Sequence, residues 1–402
     1  MPPTTEDAGR PPAQRATRSV LAAGVVLSFS HIYVVQPILP LIGADLGVGA
    51  DRASLAVTAT LAALALANLA WGPVADRWGR KPVMVLGALA LAVPAALVPV
   101  ATTLGALLAL RFAQGLLVPA VTVPAASYAH EELAGGSGRA MSVYVGAMAL
   151  GGLLGRVEGG VLADLMGWRA SFGVYAALTV LGGLLVWALL PRSANFRPRD
   201  ATVGGDLRMH LTDPGLVGGY VVGALYFAVV MGVATVIPYR LGAPPYDLRP
   251  SAISLVYLAY AAGVLATGVG GRLVDRYGAR GVQRWGLAAG VAALALSGLA
   301  PLPAVVGSYV ALMMAYFVTQ VGVTAWISAR AGQARASAVS LYYVAYYVCG
   351  ATGAWLWSGA WRVAGWSGLI ALGVATAVLA AVLETVLFRA GRRRDARGLA
   401  AG

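Results

Sequence analysis

The chain has 402 residues, 59% of them hydrophobic and 11% charged, and its mean hydropathy is +0.76. So little polar material excludes a soluble enzyme or binding domain, which needs a water-facing shell around its core. The net charge of +13 is scattered over short segments, so no basic domain of the kind that binds nucleic acid is present.

Residues 1–18 are polar and Pro-rich. The apolar run that follows, from about 17 to about 42, is too long for a cleaved leader and reads as a retained first span. Further runs of membrane-crossing length lie at roughly 53–75, 83–102, 104–128, 140–165, 168–190, 214–240, 250–273, 281–300, 303–329, 335–359 and 364–388. Counted in order as helices 1 to 12, they predict an all-α polytopic membrane protein with 12 transmembrane helices. The expected organisation is a cytoplasmic tail over 1–18, a six-helix bundle over 19–190, a cytoplasmic linker over 191–213, a second bundle over 214–388 and a basic cytoplasmic tail over 389–402.

Orientation follows from the 29 Lys and Arg residues. With both termini inside, Arg52, Arg169, Arg240, Arg249 and Arg362 fall outside, Arg111 and Arg156 fall within helices, and all the others are cytoplasmic. That asymmetry satisfies the positive-inside rule. Lys81 is the one lysine in an Arg-, Ala- and Gly-rich chain, a bias that points to a GC-rich bacterial genome and a bacterial cytoplasmic (inner) membrane.

Between helices 2 and 3 stands Gly72-Pro73-Val74-Ala75-Asp76-Arg77-Trp78-Gly79-Arg80-Lys81, and Gly271-Arg272-Leu273-Val274-Asp275-Arg276-Tyr277-Gly278-Ala279-Arg280 repeats it between helices 8 and 9. Glycines permit a tight reversal there, the aspartate can accept from a helix N-terminus, and the arginines hold the inner face. A shift of 198 residues also superposes Ser142-Val143-Tyr144 on Ser340-Leu341-Tyr342, Gly152 on Gly350, Gly155 on Gly353 and Gly167-Trp168 on Gly365-Trp366. A shift by six spans keeps orientation, so the two six-helix repeats run in parallel about an axis along the membrane normal.

These residues carry a resemblance. The two loops, Arg111-Phe112-Ala113-Gln114-Gly115 in helix 4, the glycine-rich helix 5 and the six-plus-six repeat resemble the major facilitator superfamily. Within it, Val35-Gln36-Pro37-Ile38-Leu39-Pro40, Gly79-Arg80-Lys81-Pro82, Gly155-Arg156 and Ser340-Leu341-Tyr342 look like the YnfM-type efflux permeases, near the drug and arabinose exporters. The resemblance implies a central cavity between the halves, lined by helices 1, 4, 7 and 10. Candidates to line it are Tyr33, Gln36, Arg111, Gln114, Tyr220, Tyr226, Tyr316 and Gln320, with Tyr342, Tyr343, Tyr346 and Tyr347 of helix 11. Aromatic faces and neutral hydrogen-bonding groups suit an amphipathic or polyhydroxylated cargo. Packing between helices is the alternative role for each.

Arg111 and Glu158 each lie about 7 residues from the outer ends of helices 4 and 5, roughly 10 Å deep at 1.5 Å per residue. A lone charge at such depth needs a partner or a water-filled cavity. Two readings stay open: Glu158 exchanges a proton while Arg111 or Arg156 stabilises its ionised form, or the charges make a permanent ion pair. Arg156 precedes Glu158 by two positions and faces elsewhere on helix 5. It stands where the exporters' glycine–proline motif would end in glycine, and that motif's proline is also missing, so an anionic cargo is equally in view. His31 is a further proton-path candidate, with a structural histidine as the alternative. Gly151, Gly152, Gly155 and Gly159 make helix 5 either a hinge against helix 8 or a close-packing face.

For the inner gate the candidates are Gly72, Asp76, Arg77, Gly79, Arg80 and Lys81, their counterparts Asp275, Arg276, Gly278 and Arg280, and Glu131 and Arg139 between helices 4 and 5. Glu384, close to the end of helix 12, is expected to reach the headgroups. No nucleotide-binding glycine loop is present, His31, His130 and His210 lie far apart, and Cys349 is the single cysteine. No enzyme, cofactor or metal is therefore expected.

The chain accordingly reads as a monomeric secondary transporter that works by alternating access, exporting a small organic compound with protons as the coupling ion. An uptake permease or symporter for a small organic anion is the alternative, and a non-transporting membrane sensor the third possibility.

Overall fold

The computed structural model describes residues 12–133, 137–193, 210–332 and 335–401, with side chains over 16–133, 141–193, 210–332 and 337–392. Among the described residues every regular element is helical. Eight helices or helix sets cross once: α1 (Ala16–Leu46), α2 (Ala50–Ala67), α3 (Arg80–Val100), α4 (Leu104–Glu132), α5 (Met141–Met166), α6 (Trp168–Leu189), α7 (Pro214–Leu241) and α10 (Leu302–Ala331). Two more, Pro250–Leu296 with 47 residues and Ser337–Arg392 with 56, are more than twice the length that a bilayer requires. Each doubles back. The first turns at Gly278, with φ 73°, giving α8 (250–277) and α9 (279–296); the second turns at Ala364 and Gly365, with φ 59° at the glycine, giving α11 (337–363) and α12 (366–392). These reversals yield the twelve crossings expected from the sequence.

The turns repeat as the sequence does. Gly79 (φ 91°) and Gly278 occupy matching motif positions, and Gly167 (φ 83°), between α5 and α6, matches Gly365 between α11 and α12. Each requires a left-handed backbone that a side chain would strain, which is why glycine recurs at both pairs of sites.

Packing at the centre is duplicated too. A Cβ on Gly155 of α5 would collide with Ser30 O of α1, and a Cβ on Gly353 of α11 would collide with Ala228 O of α7. In both halves a glycine lets two backbones touch, as small residues do where lipid offers no hydrophobic drive between helices. On α5 the stripe Gly151, Gly155 and Gly159 meets α1, while Gly160 meets Pro250 and Ser254 of α8. The helix-5 glycines thus serve close packing against α1 as well as the seam with α8. α1 and α7 are the most enclosed spans, and α6, α9 and α12 present Trp187, Trp285 and Leu379 outward to lipid.

α1 is not one rod. Its first helix ends at Tyr33, a 3-10 turn covers Gln36–Ile38, and a helix resumes over Leu39–Leu46. Pro37 and Pro40 lack the N–H groups that would close the intervening turn, so helix geometry fails between them and Tyr33.

The described hydrogen bonds and ion pairs between halves run from mid-depth to the end remote from Gly79 and Gly278. They are Gln36 to Thr235 (3.4 Å) and to Met231 Sδ (3.8 Å), Thr58 to Ala351 O (3.0 Å), Ser251 to Asp164, and Arg362 to Asp51 (3.2 Å). At the motif end the described ion pairs stay inside one half or the other.

Gly155→Leu should lower the thermal midpoint of the purified protein by the equivalent of about 3 kcal/mol or prevent a monodisperse preparation, because backbone blocks the added side chain. Gly146→Leu should leave the midpoint unchanged, since Gly146 is exposed and a Cβ added there would meet nothing within 4 Å. A scanning fluorimetry series in detergent reads both.

Candidate substrate and gating sites

The candidate residues divide into four groups by what their side chains touch. Arg111 is fully buried on α4 and is used to repair the break in α1. Its guanidinium donates to His31 O (2.8 Å), Ile32 O (3.0 Å) and Ala56 O (3.4 Å), and to Gln114 Oε1. The two α1 carbonyls belong to the last turn before Tyr33, where the helix ends and backbone donors run out. Glu158 meets neither arginine. Its carboxylate accepts from Tyr175 Oη at 3.2 Å, on α6. The expected pairing of Glu158 with Arg111 or Arg156 is therefore corrected: equal depth on neighbouring helices did not place the two on facing sides. His31 packs its ring edge-on to Tyr175, and its Nε2 lies 2.7 Å from Thr179 Oγ1. That hydroxyl donates to Tyr175 O, so His31 Nε2 is the donor.

Arg156, 2% exposed, stands ten residues short of Met166, about 15 Å from that end of α5 and so near half the depth of a bilayer core of about 30 Å. It occupies the α8-facing side of α5, with Gly152 and Gly160 one turn away on either side. Nε donates to Gln36 Oε1 (2.7 Å) and Nη1 to Gly152 O (2.6 Å). The guanidinium lies 3.8 Å from the Tyr33 ring centre, 5.0 Å from that of Tyr260 and 5.8 Å from that of Tyr257. Gln36 continues to Thr235 and Met231 of α7, so this cluster touches both halves.

A second aromatic group sits on α7, α10 and α11. Tyr316 and Tyr346 share a hydroxyl–hydroxyl bond, Tyr342 donates to Gln320 Oε1, and Gln320 donates to Gly223 O at 3.3 Å. Phe227 stacks on Tyr346 at 3.6 Å, and Tyr220 stacks on Tyr342 at 6.2 Å. Tyr343 and Tyr347 stack on one another beside them. Tyr226 faces away from the interface between halves, with its hydroxyl donating to Gly286 O on α9. The sequence reading missed Tyr257 and Tyr260. Their three-residue spacing on helix 8, opposite the Gly152, Arg156 and Gly160 stripe, was the available signal.

At the motif end, Arg80 pairs with Asp76 and, at 2.8 Å, with Glu131. The second half differs. Asp275 and Arg276 are exposed; Arg276 lies over Tyr277, and Asp275 makes no ion pair among the described residues. Arg280 turns instead to Glu384 of α12 at 2.6 Å, and Arg284 reaches the same carboxylate at 3.4 Å. Glu384 is thus corrected from a headgroup residue to a buried partner, 5% exposed, which the aliphatic reach of two arginines from α9 encloses. Arg77 is exposed, Gly72 has open space around it, Lys81 lines a cavity of about 540 Å³ with Trp78 and Trp187, and the side chain of Arg139 lies outside the described residues.

A two-bundle, twelve-span helical membrane protein with a polar and aromatic seam at mid-depth has the architecture of a small-molecule carrier. Residues 21–354 match the Major Facilitator Superfamily, and the chain belongs to that family. It is 28% identical over 385 residues to the inner membrane transport protein YnfM of Escherichia coli strain K12, covering 95% of this chain and 92% of that one. It is 30% identical over 169 residues to the multi-drug resistance efflux pump PmrA of Streptococcus pneumoniae, covering 40% of this chain and 42% of the pump. Its fold superposes with a TM-score of 0.80 on the crystal structure of a bacterial homologue of the human lysosomal transporter Spinster, in an inward-facing and unoccupied conformation, at 18% identity, covering 96% of this chain and 98% of that one. The chain is therefore a multi-pass membrane transporter and not an enzyme.

Glu384→Gln should destabilise the protein by about 2 kcal/mol, since it leaves the part-buried Arg280 without its acid. Combining it with Arg280→Gln should recover part of that loss. Thermal midpoints of the two single variants and the double variant measure the coupling.

Proposed function

We propose that this transporter works by alternating access and exports a small organic compound in exchange for protons, with both termini and the motif end on the cytoplasmic side. The observation that carries the reading is the placement of contacts between halves. They join from mid-depth outward, whereas Arg80 with Asp76 and Glu131, and Arg280 with Glu384, each stay within one half. The arginine distribution puts the motif end inside. The arrangement is then the state closed to the outside.

The hydrogen bonds and ion pairs that must break for the opposite state are few, beside the packing of Gly160 on Pro250 and Ser254. Thr58 to Ala351 O, Ser251 to Asp164 and Arg362 to Asp51 are single hydrogen bonds or part-exposed pairs, each worth about 1 kcal/mol or less. A rocking motion exchanges them for contacts at the motif end, where Asp76 and Arg80 already hold their geometry. Glu158 supplies the titratable group: a half-buried carboxylate within a span, held by a neutral tyrosine instead of an arginine. Export is supported by likeness to a drug efflux pump over part of the chain. Uptake of a small organic anion is the second reading, favoured by Arg156, which has no acidic partner among the described residues.

In liposomes with an internal pH dye and a panel of candidate compounds, a cargo should trigger proton movement that Glu158→Gln abolishes while cargo exchange persists. Cargo flux with no proton movement would retire the coupling and leave the carrier. Asp76→Asn should slow transport about tenfold, as expected if one state loses roughly 1.4 kcal/mol, with insertion and folding intact; undiminished flux removes Asp76 from the gate.

A further inference from the structure

We propose that Arg156 and Tyr260 together bind the carboxylate of the cargo, and that the cargo is a small aromatic monocarboxylate. The proposal rests on the carrier reading and names the substrate class of that same seam.

A guanidinium buried at half-depth without a counter-charge is an expensive arrangement in a membrane. No carboxylate among the described residues pairs with Arg156, and Glu158 on the same helix turns to Tyr175. Gln36 and the carbonyl of Gly152 fix the fork through Nε and Nη1. The hydroxyl of Tyr33 is a further hydrogen-bonding neighbour of the guanidinium, and the described hydrogen bonds of Arg156 otherwise use Nε and Nη1, with none drawn from Nη2 or from the hydroxyl of Tyr260. Those two donors come from opposite halves, α5 and α8. Tyr257, by contrast, is already engaged, donating to Ala234 O at 2.6 Å.

Gly152 marks the space between them. A Cβ there would lie 3.5 Å from Tyr260 Oη, 3.5 Å from Tyr33 Cε2 and 3.6 Å from Arg156 Nη1, ordinary contact distances to the three side chains that meet at this glycine. A planar carboxylate entering on this side can accept from Nη2 with one oxygen and from Tyr260 Oη with the other, because arginine can be anchored through Nε and Nη1 and still present a third nitrogen, which the single ammonium of lysine cannot do. The walls are rings. The guanidinium carbon stands over the Tyr33 ring, 3.8 Å from its centre, and Tyr260 is held edge-on by Phe317 at 4.8 Å. Aromatic walls around one cation select a flat arene bearing one negative charge over an aliphatic or polyanionic cargo. Because each half supplies one donor, an anion bound there draws the halves together at mid-depth.

The test is binding to full-length protein in nanodiscs, by calorimetry, with benzoate, 4-hydroxybenzoate and trans-cinnamate against their neutral amides, and with acetate and chloride as controls. The aromatic carboxylates should bind about tenfold or more tighter than the amides. Arg156→Gln should remove that preference, Arg156→Lys should retain only part of it, and Tyr260→Phe should weaken the carboxylates severalfold while leaving the amides unchanged. Gly152→Ala, which fits sterically, should keep the wild-type thermal midpoint yet lose affinity for the acids. Equal binding of acids and amides, no binding of any acid at millimolar concentration, or equal competition by chloride or acetate would overturn the proposal, and the wild-type protein alone decides these points even if Arg156→Gln does not fold. Binding is measured without flux, so a charge-selective site in a protein that moves no cargo would instead sink the carrier reading.

Discussion

The contact on which the rest of this molecule depends is backbone against backbone: glycine of α5 on α1, and its copy of α11 on α7. In lipid, helices gain little by hiding apolar side chains from one another, so close van der Waals approach must hold the bundle. Gly151, Gly155 and Gly159 bring α5 onto α1 along its length, and this registers Arg156 beside Gln36 and Tyr33. A larger residue on that stripe would move the arginine away from the ring beneath it. Packing and site are therefore one constraint.

Much of the fold was legible because the bilayer imposes a length. Apolar runs of about 20 residues can be counted, and the crossings fused into Pro250–Leu296 and Ser337–Arg392 were separable at Gly278 and Gly365, where the repeat places glycine. Side-chain partners were far less legible. Depth along a helix can be read from position, but the direction a side chain faces depends on how each helix is rotated against its neighbours. Arg111 and Glu158 share a depth, yet one serves the carbonyls of a broken α1 and the other a tyrosine of α6. The break at Tyr33 was written in Pro37 and Pro40, and the need for a donor to the freed carbonyls could have been inferred from it. Glu384 carried no such signal, since its partners, Arg280 at the end of the loop motif and Arg284 beyond it, lie 104 and 100 residues upstream.

Duplication has left the two halves alike in backbone and unlike in charge. Gly155 and Gly353 make the same contact, but the position that holds Arg156 holds the buried Ala354 in the second half. Asp76, Arg80 and Glu131 form a three-member cluster, whereas Arg280 finds its acid on α12 while Asp275 stays exposed. Small residues at the helix contacts are held in both halves by the same close approach. Charged positions are free to diverge because each half presents a different surface to the seam, and a single cation there suffices for a single anion.

The position of Arg156 also has an electrical meaning. A cation at half the membrane thickness lies within the transmembrane field, where moving one elementary charge across the full potential is worth about 2.3 kcal/mol per 100 mV. When the halves rock, the fraction of that drop seen by the guanidinium changes. With a monoanion docked and Glu158 ionised the charges within the span sum to −1, whereas after cargo release and protonation of Glu158 they sum to +1. A membrane potential negative inside would then push both halves of the exchange forward, the loaded one by driving negative charge outward and the returning one by drawing positive charge inward.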